Sequence, residues 1–200
     1  MVKIHSDRGG YSKAQTPGPQ RAMISTPSWT VRKSHHVMKD RWLGLRADDC
    51  VTPSGHIVDP YYVLETPDIA LVLGIDAANH VILVRQYRHA YGGPSLELPG
   101  GAIDPDILAA AERKMREETG YIFAEAERVV TLNADPARYA NRMHLVRARV
   151  TAAGPAQPDP AEDIAVVRVP KAEASQLAQS GAIVGAVHAA MILIGLSSTG

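Results

Sequence analysis

Residues 96–121 read LELPGGAIDPDILAAAERKMREETGY, and the rest of the chain is best interpreted outward from this stretch. It joins a glycine pair, Gly100-Gly101, to a segment that ends with two adjacent glutamates, Glu117 and Glu118. A glycine pair lets the backbone approach a ligand closely, and acids near a helix C-terminus oppose the macrodipole, which favours a functional role for them. Carboxylates beside a bare carbonyl suit a hard cation such as Mg²⁺, which binds phosphate oxygens and activates water.

The segment between the glycine pair and Gly120 has the signals of a helix. Asp104 or Asp106 can cap its start, and Ala109–Glu118 are strong helix formers. Gly120 can supply the left-handed residue that ends the helix. On such a helix Lys114 lies one turn before the second glutamate, on the same face.

Composition and length restrict the class of protein. The chain has 200 residues, 46% of them hydrophobic, which suits a globular domain with a modest extension and excludes wholesale disorder. Lys and Arg total 21, as do Asp and Glu, so the formal net charge is zero and does not favour binding to nucleic acid. Cys50 is the only cysteine, which excludes an intrachain disulfide and favours a reducing compartment. No run reaches the roughly 18–20 apolar residues that span a bilayer, so we expect a soluble cytoplasmic protein.

Three regions follow along the chain. Residues 1–28 are rich in Gly, Pro, Ser and Thr and predict a mobile arm. Residues 29–66 predict a small N-terminal β-sheet region, with a hairpin turn at Thr52–Gly55. Residues 67–200 predict a mixed α/β domain, whose first two strands pair antiparallel around a turn at Asp76–Asn79. Its predicted strands and later helices are Ile69–Ile75, Val81–Arg85, Arg128–Leu132, Met143–Val150 and Ile164–Val169, then Lys171–Gln179 and Ile183–Leu196.

The glycine pair and the acidic helix together resemble the Nudix hydrolase superfamily. The residues that match its sequence box are Gly101, Arg113, Met115, Glu117, Glu118, Gly120 and Tyr121. The preceding segments Arg85–Arg88 and Leu96–Gly101 look like the ADP-ribose pyrophosphatase branch. The resemblance implies an α+β fold, a Nudix-like α/β/α sandwich with a mixed sheet. It also implies a small antiparallel N-terminal sheet that helps form a homodimer.

The resemblance also implies which residues carry the chemistry. Mg²⁺ or Mn²⁺ would be bound by Glu117, Glu118 and the carbonyl of Gly100. Arg113 would orient the carboxylates, and Glu162, in a late acidic loop, would assist the attacking water. The implied reaction is hydrolysis of a diphosphate.

The implied substrate is a nucleoside diphosphate linked to another moiety, such as ADP-ribose or another nucleotide sugar. Arg85 and Arg88 would neutralise the diphosphate, since guanidinium groups bind phosphate oxygens through paired hydrogen bonds. The resemblance also favours Glu97 aimed into the site, with Gly101 beside the substrate.

Two features depart from the family pattern. Lys114 stands where the family has a metal-binding glutamate, and the connection from Gly101 to Arg113 is two residues shorter than the pattern. An ammonium cannot ligate a metal, although Lys114 could stand in for the missing cation by pairing with Glu118. We therefore expect slow or unconventional hydrolysis. The alternatives are a non-catalytic nucleotide-binding or regulatory module, and a structural dimer with a vestigial pocket.

Overall fold

The computed structural model describes residues 27–104, 106–159 and 163–197. Nearly all of the predicted N-terminal arm, and the candidate Glu162, lie outside the described residues. The chain divides into two compact units. Of the described residues, the first unit contains 27–35 and Ala47–Tyr61, and the second contains His36–Arg46 and those from Tyr62 onward. Within the described ranges, no helix is long and apolar enough to cross a membrane.

The N-terminal part of the chain forms a three-stranded antiparallel sheet, with its strands in the order β1 (Thr30–Lys39), β2 (Gly44–Val51) and β3 (Ile57–Glu65). The predicted hairpin is confirmed, and at its turn the Gly55 N–H donates to the Thr52 carbonyl at 2.9 Å. In the first unit Trp29 packs edge-to-face against Tyr61, with ring centroids 5.7 Å apart. The sequence pattern did not indicate β1, because every one of its residues is exposed and none marks a buried face.

The second unit contains a seven-stranded mixed sheet. Its strands are β4 (Ile69–Ile75), β5 (His80–Arg88), β6 (Gly93–Glu97), β7 (Gly100–Ala102), β8 (Tyr121–Leu132), β9 (Met143–Ala152) and β10 (Ile164–Pro170). The main order is β10-β5-β4-β9-β8, in which β4 and β9 are parallel and the other pairs are antiparallel. The helices are α1 (Ile107–Thr119), α2 (Lys171–Ser180) and α3 (Ala186–Ser197).

Helices pack on both faces of this sheet. Successive side chains of a strand point to opposite faces, so the buried strand β4 contributes to two separate cores. Ala70 and Val72 pack with Met115 of α1, whereas Leu71 and Leu73 pack in the cluster that contains α2 and α3. The predicted α/β/α sandwich with a mixed sheet is confirmed.

A gap between β4 and β5 positions the glycine pair. The predicted antiparallel pairing of these strands is confirmed, but the pairs are confined to the turn end, at residues 74–75 and 81–82. Beyond the turn β6 pairs with β5 and β7 pairs with β4. The Pro99 carbonyl between them accepts the Val72 N–H at 2.8 Å. The inserted strands satisfy backbone groups that a simple hairpin would have paired directly.

The two ends of α1 have the caps that its sequence predicts. Of the two candidates for the start, Asp106 is the N-cap, and its carboxylate accepts the Ala109 N–H at 2.9 Å. Gly120 ends the helix with a φ of 75°, a left-handed conformation that costs glycine little. Its N–H donates to the Arg116 carbonyl at 2.9 Å. These caps fix the length of α1 and bring its last turn beside β7.

Candidate active site

Glu118, on the last turn of α1, contacts the glycine pair. The residue is 3% exposed, and its carboxylate oxygen Oε2 accepts the Gly100 N–H at 3.2 Å. Only glycine fits there, because a Cβ at Gly100 would lie 2.2 Å from the Ala70 carbonyl oxygen. The close approach of β7 to β4 thus leaves the Gly100 N–H directed at the acid on α1.

Glu117, the second acid, lies between two cationic side chains. Its Oε2 is 3.3 Å from Lys114 Nζ and 3.3 Å from the Arg113 guanidinium. The aliphatic part of Lys114 covers Gly101, where a Cβ would lie 2.7 Å from the lysine Cε. Sequence reasoning paired Lys114 with Glu118, but the ion pair in the structure is with Glu117. The reason is helix geometry, since side chains three residues apart are also neighbours on a helix surface.

Glu97, at the end of β6, forms a charged network with β5. It is 4% exposed, and its carboxylate accepts two hydrogen bonds from the Arg88 guanidinium, at 2.8 and 2.5 Å. Gln86 Nε2 is 3.4 Å from the same carboxylate. Burial tends to raise the pKa of Glu97, but the hydrogen bonds from Arg88 and Ser95 and the charge of Arg88 outweigh it and hold the pKa below its ordinary value. Paired charged hydrogen bonds of this kind fix both side chains.

His188, on α3, approaches Glu97 from another element. Its Nδ1 accepts the Leu98 N–H at 3.1 Å, and its Nε2 lies 3.7 Å from a Glu97 carboxylate oxygen. Burial lowers the pKa of His188, with Glu97 opposing that shift and Arg88 adding to it. The imidazole is therefore neutral at pH 7, and its proton is on Nε2, facing the carboxylate.

Comparisons with known proteins identify the family of this chain. A family model described as a nucleoside diphosphate sugar hydrolase N-terminal domain matches residues 29–64, and a NUDIX domain model matches residues 65–185. The chain belongs to the Nudix family. The family resemblance that the sequence motifs carry is thus confirmed.

Individual relatives of this Nudix protein include two curated bacterial proteins. The ADP-ribose pyrophosphatase of Mycobacterium tuberculosis is 31% identical over 155 residues, which cover 74% of each chain. The methanol dehydrogenase activator of Bacillus methanolicus is 26% identical over 119 residues; these cover 58% of this chain and 64% of the relative. The crystal structure of an ADP compounds hydrolase has a TM-score of 0.74 over 86% of this chain and 94% of that one. At 21% identity, that likeness establishes the shared fold.

The two arginines predicted to bind the diphosphate are not brought together in the Nudix domain. Arg85 and Arg88 are three residues apart on β5, so they extend to opposite faces of the sheet. Arg88 joins the carboxylate of Glu97, whereas Arg85 is exposed opposite Leu96 in the register. The sequence motif places both arginines close together in the chain but does not encode this difference of face.

Glu117 and Glu118, which are predicted to ligate a divalent cation, have other partners in the described part of the Nudix domain. This described part contains no cluster of three or more His, Cys, Asp or Glu side chains able to hold a metal ion. The Glu117 carboxylate is already neutralised by two cations, and the Glu118 carboxylate accepts a backbone N–H. Metal ligation by the Gly100 carbonyl and a catalytic role for Glu162 stay predictions.

Two contacts in the site were missed from the sequence. Gln86 belongs to the arginine motif, but the pattern gave it no role. His188 is a polar residue within the otherwise apolar predicted helix Ile183–Leu196, and this interruption is the signal that could have singled it out. Its partner Leu98 is 90 residues away in the chain, so local periodicity could not identify the contact.

A cleft of about 570 Å³ lies elsewhere in this domain. Its lining includes Glu127 of β8, Arg147 of β9 and Leu196 of α3. Two of the charges neutralise each other, because the Arg147 guanidinium donates to Glu127 at 3.0 Å. None of the predicted site residues that the structure describes lines this cleft, so the candidate site rests on the side-chain arrangement around β6 and β7.

Proposed function

We propose that this Nudix protein hydrolyses the diphosphate of ADP-ribose or a related ADP-sugar. One observation carries the proposal: the two-residue connector Leu98-Pro99 lies between the ion pair of buried Glu97 with half-exposed Arg88 and the contact to buried Glu118. The Glu97–Arg88 pair precedes this connector, and the Gly100–Glu118 hydrogen bond follows it. A cation suited to phosphate oxygens, on β5, and a carboxylate, on α1, therefore both contact residues of one short segment, Glu97 to Gly100.

In this proposal Arg88 and Lys114 bind the substrate, and Glu162 takes part in the reaction. The Arg88 side chain is half exposed, so its guanidinium can reach a phosphate while Glu97 holds it. Lys114, which lies over Gly101, adds a second positive charge to the diphosphate site. In the reaction a water oxygen bonds to one phosphorus and the bridging phosphorus–oxygen bond breaks, which gives AMP and a sugar phosphate. Glu162 is our candidate to take the proton of that water.

We propose that Glu117, Glu118 and Arg113 form the catalytic group around this reaction. Divalent cations such as Mg²⁺ or Mn²⁺ neutralise phosphate oxygens and activate water when they bind. The ammonium of Lys114 near Glu117 opposes such binding, so we expect a weak metal requirement and slow turnover.

The Lys114–Glu117 ion pair also supports a second candidate function. If it excludes metal altogether, the fold would retain nucleotide binding and lose hydrolysis. The protein would then act as a nucleotide-binding or regulatory module.

The test combines turnover and binding for the full chain. AMP release from ADP-ribose is followed by chromatography with Mg²⁺, Mn²⁺ or EDTA, and binding is measured by calorimetry. For a hydrolase, Glu118→Gln should lower AMP release roughly 100-fold, as expected for loss of a catalytic carboxylate. The control Glu173→Gln alters an exposed acid on α2 and should match the parent. Binding without any AMP release would support the regulatory module, and equal release by parent and Glu118→Gln would contradict the proposed site.

We also propose that the N-terminal sheet mediates a homodimer. All residues of β1 are exposed, including Val31, Val37 and Met38, and exposed apolar strands are candidates for pairing between chains. Light scattering of the full chain, coupled to size-exclusion chromatography, should give twice the monomer mass. A monomer at micromolar concentration would contradict this assignment.

A further inference from the structure

We propose that His188 is a positioning residue that aligns Glu97, and through it the Arg88 guanidinium, for diphosphate binding. The inference rests on the proposed function, since it assigns a further residue to the same site. His188 belongs to α3 on the opposite side of the domain core from α1, yet its ring reaches the end of β6.

The first step is the tautomer. Nδ1 accepts the Leu98 N–H at 3.1 Å, so its lone pair faces the backbone and the ring proton is on Nε2. In a doubly protonated ring Nδ1 would also carry a proton and would point it at the Leu98 N–H. Two donors cannot form a hydrogen bond with each other. The backbone of the connector therefore selects the form of His188 that presents an N–H to Glu97.

The second step is the effect on the carboxylate. Nε2 is 3.7 Å from Glu97 Oε2, which is an electrostatic contact longer than a hydrogen bond. The same oxygen accepts from Arg88 at 2.5 Å, and Gln86 is 3.4 Å away. His188 thus closes the side of the carboxylate that faces α3 and favours the orientation in which both oxygens pair with the guanidinium.

The third step is how the ring itself is held. His188 lies against Gly185 one turn earlier, where a Cβ would be 2.8 Å from the ring Cδ2. The ring is also mostly buried, with 16% of the side chain exposed. Packing and the Leu98 N–H together restrict the imidazole to one orientation, as a positioning residue requires.

Two substitutions separate the two nitrogens of His188. In His188→Asn the amide oxygen can replace Nδ1 as acceptor for Leu98, but the side chain does not reach Glu97. In His188→Gln the longer amide can place an N–H at the Nε2 position. Thermal unfolding of each variant establishes that it is folded before binding is compared.

The experiment measures the dissociation constant of ADP by calorimetry in EDTA. We expect His188→Asn to weaken binding about fivefold or more and His188→Gln to restore much of the loss. In an Arg88→Ala background, His188→Asn should have no further effect, because the histidine acts through the arginine. ¹⁵N shifts of the imidazole should show the neutral Nε2–H tautomer.

Each result bears on one of the two proposals. Parent-like binding by His188→Asn, an equal additional loss in the Arg88→Ala background, or an Nδ1–H tautomer would overturn the role of His188 while leaving the proposed function intact. A parent chain that binds neither ADP nor ADP-ribose would overturn the proposed function, and the role of His188 with it.

Discussion

Lys114 determines the charge around the acidic pair of the Nudix helix. Its ammonium and the Arg113 guanidinium each lie 3.3 Å from the same oxygen of Glu117. Such pairs contribute little to stability when they are exposed to solvent, so their main consequence is electrostatic. They reduce the negative charge that a divalent cation would require.

Replacing this lysine by an acid should create a metal site. In Lys114→Glu the repelling ammonium is gone and a third carboxylate is added beside Gly101. We expect Mn²⁺ to bind at least about tenfold more tightly, the low end of what metal-site changes produce. Titration of Mn²⁺ by electron paramagnetic resonance measures the change directly.

Two further variants separate charge from ligation. Lys114→Gln removes the ammonium without adding a ligand and should give an intermediate affinity for Mn²⁺. Lys171→Glu adds an acid at an exposed position of α2 and should leave the Mn²⁺ affinity of the parent unchanged. Equal Mn²⁺ affinity in the parent and Lys114→Glu would show that the helix is misaligned with the family pattern.

The sequence identified those site residues whose contacts are local or belong to the family motif. Helical spacing placed Glu118 and Lys114 on one face, and the motif pointed to Glu97. His188 could not be found in this way, because its position follows from the packing of α3 against the sheet. The face of Arg85 was also missed, since it depends on the strand boundaries.

At the level of elements, α1 illustrates how local signals set a boundary. Both Asp104 and Asp106 precede the helix, and either suits an N-cap. The carboxylate of Asp106 accepts the Ala109 N–H at 2.9 Å, so this residue satisfies a backbone donor that the helix leaves unpaired.

Removing the cap should destabilise the domain by a modest, measurable amount. Asp106→Ala should lower the free energy of unfolding by about 0.5–2 kcal/mol, the usual loss for an N-cap. Asp104→Ala is the matched control and should change it by less than about 0.5 kcal/mol. Urea denaturation gives both values, and equal losses from the two variants would contradict the assignment of the cap.

The elements that the sequence did not predict are those without a local signal. Helices α1 and α2 and the β2–β3 hairpin have caps or turn residues that can be read directly. The separation of β4 from β5 depends on β6 and β7 entering the gap, and that pairing is decided by tertiary structure. Strand β1 has no buried face to produce an alternating pattern.

For the molecule as a whole, a buried carboxylate at the β4–β5 turn joins distant parts of the second unit. Asp76 accepts the backbone N–H groups of Ala78 and His80, both at 2.9 Å. Its other oxygen accepts the Arg168 guanidinium of β10 at 2.5 Å. Burial tends to raise the pKa of Asp76, but these hydrogen bonds outweigh it and hold the pKa below its ordinary value.

The global stability should therefore depend on pH through Asp76. A carboxyl group with a lowered folded pKa stabilises the protein fully above its unfolded pKa, about 3.9, and that contribution is lost as the pH falls through the folded value. Asp76→Asn should lower the free energy of unfolding by about 1–3 kcal/mol at pH 7. The difference from the parent should shrink below about pH 4. Urea denaturation from pH 7 to pH 3 tests this, and a constant difference would contradict it.

The connector Leu98-Pro99 is fixed at both residues, since the Leu98 N–H donates to His188 and the Pro99 carbonyl accepts from Val72. The backbone between the Arg88–Glu97 ion pair and the Gly100–Glu118 hydrogen bond is therefore held at both of its residues. A recognition surface assembled before its ligand arrives loses little entropy on association. We therefore expect nucleotides to bind without a rearrangement of the site. Association should then follow single-phase kinetics in stopped-flow measurements.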